Sequence, residues 1–231
     1  MSGDLSSPFA FYAFDQLYSR LNSDSGTYLS FEAVKQLFPN YAIDSRKTTE
    51  KTSLFITWKK KSGRSREGEL RGCIGTFAKL ALLKGIEKYS LIAALQDHRF
   101  PPITKKELPT LTCSCNILHS FHTIFSDKKG DIFDWELGVH GIELTFKDPS
   151  SNQIMSATFL PEVMPEQHWD KEDTFKNLIE KAGNWKDVDF LMNHYEDYFI
   201  DVIRYEGEKS QIGFEEFKHL RDGVESAQTG H

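Results

Sequence analysis

Six residues, Leu70-Arg71-Gly72-Cys73-Ile74-Gly75, set two glycines and a lone cysteine inside a stretch that otherwise reads as β-strand. Glycine weakens a strand interior, so two of them close together mark a bulge or a close approach by another backbone or a ligand. Leu54 to Trp58, β-branched and aromatic, predicts a strand before this motif, and Glu69 to Phe77 reads as its returning partner. Between them Lys59 to Glu67 (KKKSGRSRE) predicts a solvated, mobile hairpin loop, with a nuclear signal or nucleic-acid patch as the functional alternative.

Helical patterns flank this hairpin. Ser6-Ser7-Pro8 is a start signal, followed by Phe11, Phe14, Leu17, Tyr18 and Leu21 on one face. Ser30 caps a second short helix through Phe38, and Leu80 to Leu95 predicts a third. Asp97-His98-Arg99-Phe100-Pro101-Pro102 then forces an extended exit, and Thr104 to Glu107 has the spacing of a capping box. Leu111 to Leu118, Gly138 to Lys147, Ile154 to Leu160 and Tyr198 to Tyr205 read as strands. Asp170 caps a helix that runs to Ala182, with Gly183 at its left-handed end. Hairpins rather than crossovers join the later strands, so the pattern predicts an α+β fold, a mainly antiparallel sheet flanked by helices. Residues 211–231 turn polar and read as a frayed or weakly helical tail.

Charge and cysteine usage narrow the function classes. A net charge of −6 disfavours a general nucleic-acid binder, which needs a basic surface. Nucleic acid stays a lesser possibility through the basic run. The 3 cysteines form no disulfide framework, and no uncharged apolar run reaches membrane-spanning length. With no signal sequence evident, the expectation is a soluble cytoplasmic protein, with the nucleus as a second location.

Leu70-Arg71-Gly72-Cys73-Ile74-Gly75, then Asp97, Arg99, Phe100 and Pro101, then Gly138-x-His140-Gly141, Leu160-Pro161, Trp169 and Lys181-Ala182-Gly183 occur in the order that marks one family. The chain resembles the AMMECR domain family from its first helix to about Lys209. That resemblance implies an α+β domain over 1–210 with a larger lobe and a smaller lobe packed beside it. It implies no settled reaction. In microbes it points to association with Memo-like and radical S-adenosylmethionine proteins. Cys113 and Cys115 stand where the family carries small apolar residues, so they are poor candidates for a shared activity.

Several constellations can carry chemistry. Cys73 is the candidate nucleophile, because a nearby cation lowers a thiol pKa and Arg71 is two residues away. His140 is the candidate base and His98 the second choice. Arg71 and Arg99 would grip an anionic group, Asp97 would orient a charged partner, and Gly72, Gly75 and Gly141 would let a ligand approach. The plainer reading has Cys73 packed in a strand, the glycines serving packing, and Arg71, Asp97 and Arg99 forming an ion-pair network that fixes the loop. Cys113-x-Cys115 with His119-x-x-His122 suggests zinc, but a strand offers no turn around an ion, so no metal is expected, nor any cofactor. The reading favoured is a cleft around the hexapeptide that binds or modifies a small anionic, nucleotide or peptide ligand. The rivals are a non-catalytic adaptor in a modification complex and an RNA- or DNA-associated factor. The expected partner is an unidentified protein or small molecule, and not a membrane.

Overall fold

Residues 6–22, 27–43, 51–62 and 65–229 are described by the structure, a computed structural model. Ser7 caps helix α1 (Pro8–Leu21) by accepting the Ala10 N–H, with proline in the first turn where its missing N–H costs nothing. Ser30 caps α2 (Phe31–Gln36) through the Ala33 N–H. Then come β1 (Lys51–Ser62), β2 (Ser65–Ala81), α3 (Leu82–Leu95), a 3-10 helix (Lys105–Thr110), β3 (Leu111–Ser126) and β4 (Lys129–Gly130). The remainder is β5 (Gly141–Lys147), β6 (Ile154–Phe159), α4 (Val163–Gln167), α5 (Lys171–Lys181), α6 (Val188–Asn193), α7 (Tyr195–Tyr198), β7 (Phe199–Gly213) and α8 (Phe214–Thr229). The fold is α+β, with an antiparallel sheet flanked by helices.

The chain divides into two compact units, Met1–Ile117 with Glu208–His231, and Leu118–Gly207. Strands β3 and β7 each pass through both, so the division falls inside strands and not in a linker. In the larger unit the sheet runs β2, β1, then the first part of β3 and the last part of β7. Strand alternation sends Leu54, Ile56, Trp58, Leu111, Cys113, Cys115 and Ile117 into one core with α1, α3 and α8. Phe14 sits at its centre, edge-on to Trp58 at 5.1 Å and stacked on Phe217 at 4.4 Å. Burying a side chain of this size stabilises the fold by about 1.5–3 kcal/mol.

In the smaller unit β5 lies between β6 and β7, with Leu144 opposite Ala157 on one side and Val202 on the other. Leu144, Phe146 and Val202 pack with Phe175, Leu178 and Ile179 of α5. Asp170 and Asp173 form a reciprocal capping box at the start of α5, and Gly183 takes φ +107° after its end.

Two expectations are sharpened. The tail, expected as frayed or weakly helical, is not frayed over Phe214 to Thr229, which form helix α8, held by buried Phe217 and by Arg221. Its polar composition hid the sparse apolar spacing of Phe214, Phe217, Leu220 and Val224, which is enough for one helix face. Nor is the basic run a loop from Lys59 onward. Lys59 pairs with Leu70 and Lys60 with Glu69 within the hairpin, while residues 63–64 lie outside the described residues. Lys60 bonds Glu107 at 3.2 Å and Lys61 bonds Glu215 at 3.3 Å, so acidic partners steady those positions. Among the described residues no helix is long and apolar enough to cross a membrane.

Candidate functional site

The hexapeptide lies in β2, the outer strand of the larger unit's sheet. Trp58 pairs with Gly72 but Lys59 pairs with Leu70, so Arg71 is an extra residue, a bulge that re-aims its side chain. Arg71 turns to the 3-10 helix. Nε and Nη2 donate to the two carboxylate oxygens of Glu107 at 2.9 and 3.2 Å, and Nη1 donates to the Pro101 carbonyl at 2.8 Å. This fork-to-fork contact is the strong form of an ion pair. The Arg71 guanidinium holds the Glu107 carboxyl down to about 2, against burial that raises it. Glu107 also closes the capping box with Thr104, so one carboxylate fixes both the loop and the helix start. The partner of Arg71 is therefore Glu107 and not Asp97.

Asp97 and Arg99 act on Cys73 instead. Asp97 Oδ2 accepts the Cys73 N–H at 2.9 Å, and Arg99 Nη2 donates to the Cys73 carbonyl at 2.9 Å. Both backbone groups of Cys73 therefore face outward, which makes Cys73 and Thr57 a non-hydrogen-bonded pair of the ladder. Such pairs bring side chains close, and the Cys73 Sγ lies 3.1 Å from the Thr57 hydroxyl. Asp97 and Arg99 are joined by Nε at 2.9 Å and Nη2 at 2.7 Å. Asp97 Oδ1 also accepts the Arg99 backbone N–H at 3.2 Å, which sets the turn. The Arg99 contact holds the Asp97 carboxyl well below the usual carboxylate range, opposed by burial. Asp97 exposes 4 % of its side chain and Arg99 56 %, so a buried anion carries a solvent-facing cation. The Arg99 guanidinium lies 5.5 Å from the Phe100 ring, and its Nη1 has no hydrogen-bond partner among the described residues. His98 is exposed on the same turn.

The two motif glycines have close neighbours. A Cβ on Gly72 would stand 2.1 Å from the Ala93 carbonyl oxygen of α3, and one on Gly75 would stand 2.3 Å from the Phe55 ring. These approaches alone require glycine at both places.

His140 and Gly141 lie in the smaller unit. There the Glu136 N–H donates to His140 Nδ1 at 3.0 Å, while the His140 N–H donates to the Glu136 carbonyl at 3.0 Å. The ring closes a turn in which Gly138 adopts φ +79°. A Cβ on Gly141 would meet the Tyr205 ring at 2.4 Å.

Strand β3 has two contrasting faces. Leu111, Cys113, Cys115 and Ile117 enter the core, where burial pushes the Cys113 thiol well up and the Cys115 thiol up to about 12. Neither is a nucleophile or a ligand in that state. No metal-binding cluster occurs among the described residues. Thr112, Ser114 and Asn116 point to the other face, the one that also carries Thr57 and Cys73. Ser114 and Asn116 have one signal in the sequence, the strict polar alternation against the two cysteines in Thr112-x-Ser114-x-Asn116. For Glu107 the sequence shows only the cap spacing, because nothing local announces Arg71 as its partner.

A profile of the AMMECR1 family matches residues 16–210. An uncharacterized protein of Saccharomyces cerevisiae is 60% identical over 229 residues, covering 94% of this chain and 90% of that protein. An uncharacterized protein of Arabidopsis thaliana is 39% identical over 174 residues, covering 75% of this chain and 71% of that protein. The crystal structure of an uncharacterized protein from Pyrococcus horikoshii superposes with a TM-score of 0.58 at 20% identity, covering 90% of this chain and 93% of that one. This last likeness concerns the fold alone.

Proposed function

The chain belongs to the AMMECR1 family, and on that premise we propose that Leu70–Gly75 and the Asp97–Pro101 turn form a binding site for a small anionic ligand, with Cys73 at its edge. The observation that carries this reading is Arg99. Its guanidinium is fixed on Asp97 and on the Cys73 carbonyl, yet more than half of the side chain faces solvent and Nη1 is unengaged among the described residues. A cation held in place before binding loses little freedom when an anion arrives, which favours affinity. Arg71, committed to Glu107, positions the loop rather than the ligand. In the catalytic form of this reading Cys73 is the nucleophile; in the binding form Cys73 only lines the site. The free thiols support a reducing compartment, cytoplasmic or nuclear.

Native protein treated with iodoacetamide at neutral pH should be alkylated at Cys73 before Cys113 or Cys115. Inorganic phosphate or pyrophosphate should slow that labelling in the wild type and not in Arg99→Gln. A Cys73 that resists labelling until denaturation, or one indifferent to both anions, removes the proposal.

A second reading, the adaptor, is favoured by Phe133, Leu137 and Val139, large apolar side chains exposed within one loop of the smaller unit. Pull-down of a partner lost in Leu137→Glu but kept in Arg99→Gln would support it over the first. The acidic partners of Lys60 and Lys61 support placing nucleic acid third.

A further inference from the structure

Asn116 is 7 % exposed and Ser114 3 %, yet the Asn116 Oδ1 has no hydrogen-bond partner among the described residues. Buried polar groups are nearly always paired, and leaving one unpaired costs about 1–3 kcal/mol. Packing alone does not ask for asparagine here, since the same strand fills its other face with Leu111, Cys113, Cys115 and Ile117. We propose that the face carrying Asn116, Ser114, Thr57 and Cys73 recognises a neutral amide edge. By this we mean an N–H donor beside a carbonyl, as carboxamides and lactam heterocycles carry.

The chemistry of the side chains selects that class. Asn116 offers an acceptor and a donor on one planar edge, the complement of an amide. The hydroxyls of Ser114 and Thr57 rotate to donate or accept. Asn116, Ser114 and Thr57 carry no charge, so nothing in these three rewards a charge on the group they meet. Strand alternation also puts Phe55 and Phe77 on this face, their rings 5.2 Å apart, which gives a planar group apolar surface to lie on.

The inference rests on the reading of the Cys73 segment as a ligand site and extends it inward from the edge. Strand β1 separates β2 from β3. Neighbouring strands lie about 4.8 Å apart, so about 10 Å separates Cys73's strand from Asn116's. A ligand carrying both an anionic group for Arg99 and an amide edge for Asn116 would have to cross that width.

The test is a nuclear magnetic resonance titration of the full chain with uracil, acetamide and N,N-dimethylacetamide, the last having the carbonyl without an N–H. Uracil or acetamide should shift the Ser114 and Asn116 amide signals, dimethylacetamide should not, and Asn116→Leu and Ser114→Ala should each weaken the response. Uracil acting alone identifies a heterocycle; equal action by acetamide identifies a carboxamide. Equal shifts from all three compounds, no shift from any, or full response in both variants overturns the inference. This readout does not depend on Cys73 reactivity. Phosphate protection of Cys73 with no amide response would leave the anion site standing and remove this one; the reverse result would do the opposite.

Discussion

Asp97 accepts the backbone N–H of Cys73 at 2.9 Å, so a carboxylate completes the outer edge of β2 where another strand would otherwise pair. Arg99 supplies the matching donor to the Cys73 carbonyl. An exposed strand edge invites pairing with other chains, and a side-chain clasp removes that risk while keeping the thiol on a fixed backbone. The clasp explains why Asp97 and Arg99 are spaced as they are: the turn lets one carboxylate hold its own arginine and a distant peptide together.

Asp97→Asn removes the charge from the clasp and leaves Arg99 without its anchor. Loss of a hydrogen bond to a charged group costs about 1.5–3 kcal/mol. Hydrogen exchange at the Cys73 amide should quicken by more than the global loss of stability explains. Exchange unchanged relative to neighbouring β2 amides would show that the clasp does not hold this edge.

The Arg71–Glu107 pair sets an acid limit. Glu107 has its carboxyl lowered from 4.5 to about 2, so between those values the unfolded chain binds more protons than the folded one. Stability from this pair is fully present above about pH 4.5 and is lost as pH falls through about 2. Urea midpoints measured across this range should slope less steeply for Glu107→Gln than for the wild type. Parallel slopes would mean that other carboxylates carry the acid transition.

Much of this was readable in the sequence. Ser7, Ser30, Thr104 and Asp170 start their elements as capping rules require, because capping is local. The hexapeptide and the Asp97 turn belong together, as their chemistry suggested. What was not readable depends on strand register. The bulge at Arg71 turns that side chain to Glu107, and no spacing rule reveals a bulge in advance. Lysines favour solvent and so predict a loop over the basic run, yet paired strands tolerate them when acids such as Glu107 and Glu215 stand across.

Gly72→Ala separates packing from ligand approach. The added methyl would stand 2.1 Å from the Ala93 carbonyl, a backbone atom that moves only if α3 moves. Overpacking of this kind costs about 1–3 kcal/mol and at times more. The melting temperature should fall with no ligand present. A variant as stable as the wild type that loses anion protection of Cys73 would instead assign Gly72 to the site.

Helix α8 should be inseparable from the larger unit, and its arginine is the reason. Arg221 Nε donates to Asp15 Oδ1 at 2.8 Å and Nη2 to the Thr27 carbonyl at 2.7 Å, with the guanidinium over the Tyr18 ring. Asp15 also accepts the Leu29 N–H at 3.0 Å. Burial pushes the Asp15 carboxyl up, and Arg221 opposes that shift, so neither charge is tolerable alone. Breaking a buried pair by removing one partner costs about 3–5 kcal/mol, whereas replacing both by apolar residues is often neutral. Arg221→Ala should therefore unfold at a much lower denaturant concentration than the wild type. Arg221→Met combined with Asp15→Leu should recover only part of the loss, because the Leu29 N–H and the Thr27 carbonyl then lack their partners, and a chain ending at Gly213 should resemble Arg221→Ala or do worse. A midpoint for Arg221→Ala equal to the wild type would show that α8 is held by Phe217 and its apolar neighbours, with the ion pair adding nothing.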